Sequence, residues 1–311
     1  MDYLLLVLGL VILVLGGDWL LKAAVSLSLQ LHVPKIVIGL TVVSFATSAP
    51  ELIVSIKSAL DGFPDLAVGN VVGSNIANLG LVLGITLLLG AIDVTSSFYK
   101  SDWPAMMLAS VLLYVFVFKD YTISTAEGWV LLGLLFLFIS YIITFQKPAV
   151  VDELPEDDVL LSQGKTWGFL ALGGLALWGG SEILVSSAVS IATSLGVSDR
   201  IIGITVVSVG TSIPELAASV MAVLKKEKAI SLGNLVGSNI FNVFAVLGIT
   251  SIITPIKVLD VGLVDSDLWW MLAFALAVLP LVFLPKGLRL NWKDGLVLLV
   301  MYGAFLYQTL R

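Results

Sequence analysis

Two glutamates stand in apolar surroundings in this chain, and each is preceded by the same short run of oxygen-bearing side chains. Thr47, Ser48 and Pro50 lead to Glu51, and Thr211, Ser212 and Pro214 lead to Glu215. Companion segments add Ser74, Asn75 and Asn78 in one place and Ser238, Asn239 and Asn242 in the other. Carboxylate, hydroxyl and amide oxygens are what a hard cation such as Ca2+ requires, typically about six to eight of them at roughly 2.3–2.6 Å. Nitrogen- and sulfur-seeking ions are poorly served, because His32 is the one histidine, at a loop, and there is no cysteine. Two glutamates supply two negative charges. One Ca2+ or two Na+ neutralise them, so either ion can occupy one cavity without leaving a bare charge in a low-dielectric setting.

Helices must carry these groups. Pro50 and Pro214 fall inside otherwise helical runs, where proline removes a backbone donor and crowds the preceding turn, so a kink or break is predicted. Such a break frees carbonyls around Ser44 to Thr47 and Ser208 to Thr211, and at membrane depth freed carbonyls must line a cavity or bind something. Helical spacing puts Thr47 and Glu51, and likewise Ser74 and Asn78, on shared faces. The two sets are copies. GLTVVSFATSAPEL from Gly39 and GITVVSVGTSIPEL from Gly203 lie 164 residues apart, and the same offset maps GNVVGSNIAN from Gly69 onto GNLVGSNIFN from Gly233. Duplicated polar segments interrupted by Gly and Pro point to a secondary transporter whose site sits where the repeats meet.

The rest of the chain is membrane-like. Of 311 residues 59% are hydrophobic and 12% charged, against about 25% charged in an average soluble domain. Ten apolar runs approach the length of about 20 residues that spans the hydrocarbon: approximately 3–30, 36–60, 65–90, 103–119, 124–146, 166–194, 200–224, 229–253, 267–284 and 290–309. The first has no basic residue before Lys22 and no small-residue cleavage site, so it reads as a retained span. Five spans per copy is an odd number, so the copies must be inverted. The expected fold is an all-α membrane protein of ten transmembrane helices in two inverted five-helix repeats, with helices broken at the midplane. Residues 1–146 form the first half, 147–165 a linker and 166–311 the second half. Ten Lys and Arg lie in the loops on the linker's side and five on the other, which places the linker in the cytoplasm and both termini outside. The linker's acids lack the spaced ligands and turn glycine of an EF-hand loop. A net charge of −6 carries no nucleic-acid signal.

At the duplicated motifs the chain resembles the calcium/cation antiporter superfamily, whose members include sodium/calcium exchangers, potassium-dependent sodium/calcium exchangers and calcium/proton exchangers. The resemblance covers almost the whole chain. It implies a midplane site built from the second, third, seventh and eighth spans, with the first and sixth sliding past that core. Glu51 and Glu215 are then the central ligands, helped by Thr47, Thr211, Ser48, Ser212, Ser74 and Ser238 and by the backbone carbonyls of Ser44 and Ser208, with Asn78 and Asn242 flanking the middle. Several sodium/calcium exchangers have Asp at one of the last two positions, whereas here both are Asn. The implied function is antiport of Na+ against Ca2+ in a prokaryotic plasma (inner) membrane, without enzymatic activity or cofactor. The partners are the two ions and the bilayer, and nothing calls for an obligate protein partner. Ca2+/H+ exchange and K+-dependent exchange are alternatives, since membrane glutamates bind protons as readily as cations. A channel would also use broken polar helices. An intramembrane hydrolase would need a nucleophile with a base or paired aspartates, and neither GxSxG nor HExxH occurs. Asp18 and Glu182, also 164 apart, read as structural, Asp18 pairing with Lys22 one turn on. Trp103, Trp269, Trp270 and Trp292 near span ends read as interfacial anchors.

Overall fold

A computed structural model of the chain describes residues 2–145, 161–195, 208–284 and 287–309. Helix α1 runs Asp2–Leu31, and after a turn at His32 the chain re-enters as α2, Lys35–Thr47. Helix α3, Ala49–Leu60, leaves at 45° to α2. Then come α4 (Pro64–Leu89), α5 (Phe98–Asp120), α6 (Thr125–Phe145) and α7 (Gln163–Ser194). After one helical turn at Ser208–Gly210 follow α8 (Ile213–Leu224), α9 (Lys228–Ile253), α10 (Leu263–Phe283) and α11 (Trp292–Thr309). Among the described residues seven helices are long and apolar enough to cross a membrane, and the bent pair α2–α3 brings the number up to eight. The chain is a helical membrane protein. The linker expected at 147–165 lies outside the described residues as far as 160. Its end is held, since Gln30 Nε2 donates to Leu161 O and to Thr166 Oγ1, both at 2.9 Å.

Helices α4 and α9 are the inner pair, buried over 78% and 83% of their apolar windows, where the other long helices reach a third at most. Their sequences explain this, since Gly, Ser, Asn and Val leave no bulky side chain to hold neighbours away. A Cβ built on Gly39 of α2 would lie 2.6 Å from Ile230 O, and one on Gly233 of α9 2.5 Å from Ile36 O, so those backbones touch. Helices α1 and α7 cross equally closely through Gly9, Gly16, Gly173 and Gly180. The outer helices turn Leu, Val and Phe outward, as Leu4, Val11, Phe136 and Val300 show.

The expectation of an all-α chain needs one correction. Two two-residue antiparallel pairs occur: β1 (Ile92–Asp93) with β4 (Arg289–Leu290), and β2 (Thr122–Ile123) with β3 (Ile256–Lys257). Each strand sinks one apolar residue, Ile92, Ile123, Ile256 or Leu290, with no exposed surface, and ladder bonds satisfy backbone groups that the burial would orphan. Trp103 is a second correction. Its Nε1 donates to Ala275 O at 2.7 Å and ties α5 to α10, an internal bond instead of an interfacial anchor. Trp269 and Trp292 remain exposed at helix ends.

Candidate ion-binding site

Both glutamates open a helix. Ser48 adopts φ −88°, ψ 5° and Ser212 φ −90°, ψ 4°, so each stops one helix and caps the next. Pro50 and Pro214 sit in the first turn of α3 and α8, where a missing N–H costs nothing. The break therefore precedes the proline, and Thr47 and Glu51 lie on different helices instead of one shared face. Ser-x-x-Glu is the sequence of a capping box, in which serine and glutamate bond each other's backbone. Neither copy makes those side-chain caps. The side chains are left for the interior, and the two carboxylates lie at helix N-termini, where the macrodipole favours negative charge.

Ser44 departs from expectation. Its carbonyl accepts the Ser48 N–H at 2.9 Å and the Thr47 hydroxyl at 3.3 Å, so the break does not free it. The carbonyl that Pro50 deprives of a helical donor is that of Ala46, four residues earlier. Ser44 Oγ bonds Gly39 O at 2.7 Å and Asn234 O at 3.0 Å, tying α2 to α9.

The two copies meet through their hydroxyls. Ser48 Oγ donates to Glu215 Oε1 at 3.3 Å and Ser238 Oγ to the same atom at 3.5 Å. Thr47 Oγ1 lies 3.3 Å from Ser238 Oγ, and Ser74 Oγ lies 3.1 Å from Thr211 Oγ1. Helix α3 packs on a π-helical turn at Asn242–Leu247 and α8 on another at Asn78–Val82, so each glutamate's helix faces the other copy's asparagine. Thr47, Ser48, Glu51, Ser74, Asn78, Ser212, Glu215, Ser238, Asn242 and Ser44 are all buried. Thr211 is half-buried, and the side chain of Ser208 lies outside the described residues.

Several of these oxygens have no donor. Glu51 Oε1 and Oε2, Glu215 Oε2, Asn78 Oδ1, Asn242 Oδ1 and Ser212 Oγ are buried without a hydrogen-bond partner. Buried polar atoms are bonded in the great majority of cases, so a concentration of orphaned acceptors marks a place for a positive ligand. Two carboxylates out of water cost several kcal/mol unless compensated, and a cation supplies the compensation. No group of three or more His, Cys, Asp or Glu occurs among the described residues, so the donor set is one of neutral oxygens around two charges. The arrangement is not symmetric. Glu215 is held by two hydroxyls, while the Glu51 carboxylate has none.

A second layer braces the first. Asn70 Nδ2 donates to Glu51 O at 3.3 Å and to Ser55 Oγ at 3.1 Å. Asn234 Nδ2 donates to Ser219 Oγ at 3.1 Å, and its Oδ1 accepts from Thr47 Oγ1 at 3.1 Å. Sequence reasoning passed over these four, although Asn70 and Asn234, and Ser55 and Ser219, repeat at the 164-residue offset. Away from the site, a cavity of about 460 Å³ is lined by Asp18, Lys22, Ser26, Phe169, Lys225 and Glu227. The expected Asp18–Lys22 pair is present at 2.6 Å, and Lys225 at the end of α8 joins it at 3.3 Å. Glu182 is exposed.

The family model described as sodium/calcium exchanger protein matches residues 1–144 and 165–311. CaxA of Alkalimonas amylolytica is 40% identical, covering 96% of this chain and 95% of its own. The sodium/calcium exchanger MaX1 of Methanosarcina acetivorans is 32% identical over 98% of this chain and 97% of its own. The structure of the sodium-calcium exchanger NCX_Mj soaked with zero Na+ and Ca2+ superposes with a TM-score of 0.83 at 26% identity, covering 100% of this chain and 99% of that one.

Proposed function

The chain belongs to the sodium/calcium exchanger protein family, and on that premise we propose that this antiporter exchanges Na+ for Ca2+ by alternating access at a site between Glu51 and Glu215. The observation that carries the reading is the set of buried, donorless oxygens on both glutamates and on Asn78 and Asn242. Ca2+ takes the two carboxylates with neutral oxygens completing its shell. Sodium ions displace it by restoring the same charge. Thr47, Ser48, Ser74, Thr211, Ser212 and Ser238 supply hydroxyls, and the backbone at Ser44 and Ser208 lies at the entrance to each break. The bond from Thr47 must open for the Ser44 carbonyl to serve as a ligand.

The transport cycle fits ten spans in two inverted halves, 1–146 and 166–311, joined by the cytoplasmic segment 147–165. Element bounds repeat at the sequence offset, as α4 (Pro64–Leu89) and α9 (Lys228–Ile253) do. The strand pairs exchange in the same sense: β1 and β3 are equivalent, and each pairs with a strand of the other half. The close crossing of α1 and α7 makes them one body able to slide past α3, α4, α8 and α9. A prokaryotic plasma (inner) membrane is the proposed location, in keeping with the 36% identity to the inner membrane protein YrbG of Escherichia coli over 81% of this chain and 79% of its own.

Purified protein in Na+-loaded proteoliposomes tests the reading. Outward Na+ should drive 45Ca2+ uptake, with a Hill coefficient for Na+ above about two and a response to an imposed potential, since three Na+ for one Ca2+ moves a net charge worth about 2.3 kcal/mol per 100 mV. Glu51→Gln and Glu215→Gln should each abolish uptake, because one carboxylate against a divalent ion leaves a buried imbalance of several kcal/mol. Wild-type uptake by either variant would sink the site. Proton coupling is the second reading, favoured by the donorless Glu51 carboxylate, which a proton satisfies as a cation does. Uptake driven by a pH gradient without Na+ selects it.

A further inference from the structure

We propose that Asn75 and Asn239 are positioning residues that lock the amides of Asn242 and Asn78 with their carbonyl oxygens turned to the transported ion. This rests on the exchange reading above. The four asparagines form a closed set across the two halves. Asn78 Nδ2 donates to Asn239 Oδ1 at 3.1 Å, and Asn242 Nδ2 donates to Asn75 Oδ1 at 3.0 Å. Asn75 Nδ2 donates in turn to Asn239 O, and Asn239 Nδ2 to Asn75 O, both at 3.2 Å.

An amide can turn over, exchanging its oxygen and nitrogen, unless its neighbours forbid it. Around Asn75 they do. Its Nδ2 has two acceptors, Asn239 O and Met271 Sδ at 3.8 Å, and Asn239 Nδ2 likewise has Asn75 O and Met106 Sδ at 3.9 Å. Turning either amide over would press its oxygen against a carbonyl and a thioether, neither of which can donate. Each positioning residue therefore has only its Oδ1 left to offer. That oxygen accepts only a nitrogen, so Asn242 and Asn78 must give their Nδ2 to the ring and keep Oδ1 for the interior. Those two oxygens are the amide atoms buried without a partner. The donor requirement is a specificity device as well. A carboxylate at position 78 or 242 would meet Oδ1 of Asn239 or Asn75, acceptor against acceptor, so the ring favours neutral ligands there and keeps the charge of the site at that of its two glutamates.

A double-mutant cycle in proteoliposomes tests this, reading KM for Ca2+ and maximal rate separately. Asn75→Ala should raise KM about tenfold with the maximal rate within about twofold, because Asn242 is freed to turn over while the carboxylates stay in place. Asn242→Ala should raise KM by a similar factor. Adding Asn75→Ala to Asn242→Ala should change KM no further if Asn75 acts through Asn242. Asn239→Ala with Asn78→Ala forms the matching cycle and serves if Asn75→Ala fails to fold. Ca2+-dependent protection against thermal unfolding gives the binding order without transport. Additive effects in both cycles, or an unchanged KM in Asn75→Ala and Asn239→Ala, overturn the proposal. Glu51→Gln run alongside separates the two failures, since its retention of transport refutes the site itself, whereas a dead Glu51→Gln beside additive cycles refutes only the ring.

Discussion

At the scale of the residue, duplicated sequence does not give duplicated bonding. Ser48 and Ser212 have the same backbone angles and neighbours, yet Ser48 Oγ reaches Glu215 and Ser212 Oγ reaches no partner. A hydrogen bond to a charged group contributes about 1.5–3 kcal/mol, and at 3.3 Å this one belongs at the weak end. Ser48→Ala should therefore raise KM for Ca2+ about tenfold, and Ser212→Ala by less than about threefold. Equal effects would show that the asymmetry does not survive ion binding. The chemistry of the site was legible in sequence, because a glutamate or asparagine stands out in an apolar run and the 164-residue offset doubles the signal. The partners were not. A Ser-x-x-Glu motif reads as a local cap, and only the fold shows that the opposite half competes successfully for the serine.

Elements show the same division. Helix breaks near Pro50 and Pro214 follow from the missing donor, but their position at Ser48 and Ser212 and the π-helical turns at Asn78–Val82 and Asn242–Leu247 do not. A π turn adds a residue to the helical repeat without any compositional mark, and such turns often sit at functional sites. Glycine spacing was more telling. A Cβ on Gly237 would collide with Ser44 Oγ and lie 2.6 Å from Leu40 O. Gly237→Ala should force α2 from α9, lower the melting temperature of the detergent-solubilised protein by several degrees, and reduce Ca2+ flux at least tenfold. Wild-type melting and flux would show that the contact yields easily. The ion pair of Asp18 with Lys22 and Lys225 deserves less weight. Both lysine side chains are about half exposed, and pairs of that kind contribute about 0–1 kcal/mol. Asp18→Asn should shift the melting temperature by no more than a degree or two.

For the molecule as a whole, orientation rests on charge. Ten basic loop residues on one side against five on the other put Ser162 in the cytoplasm. Because the chain has no cysteine, Ser162→Cys introduces a unique thiol. It should resist impermeant thiol reagents in intact cells and react once the membrane is opened. Ready labelling in intact cells would reverse the orientation.

The strand pairs bear on how such a molecule is made. Ile92 is synthesised early and its partner Leu290 near the end, and the same delay separates Thr122 from Lys257. At about 5–20 residues per second, translation leaves the first edge waiting on the order of tens of seconds. During that interval the early half holds an open ladder and half of an asparagine ring, and something in the membrane must shield both. The finished molecule is a clasp of two hands, neither of which closes on itself. Fragments 1–146 and 166–311, produced from separate genes, should accordingly accumulate together and carry Ca2+. Either one alone should be degraded. A stable solitary fragment would mean that the clasp is ornamental and that each half folds before the two meet.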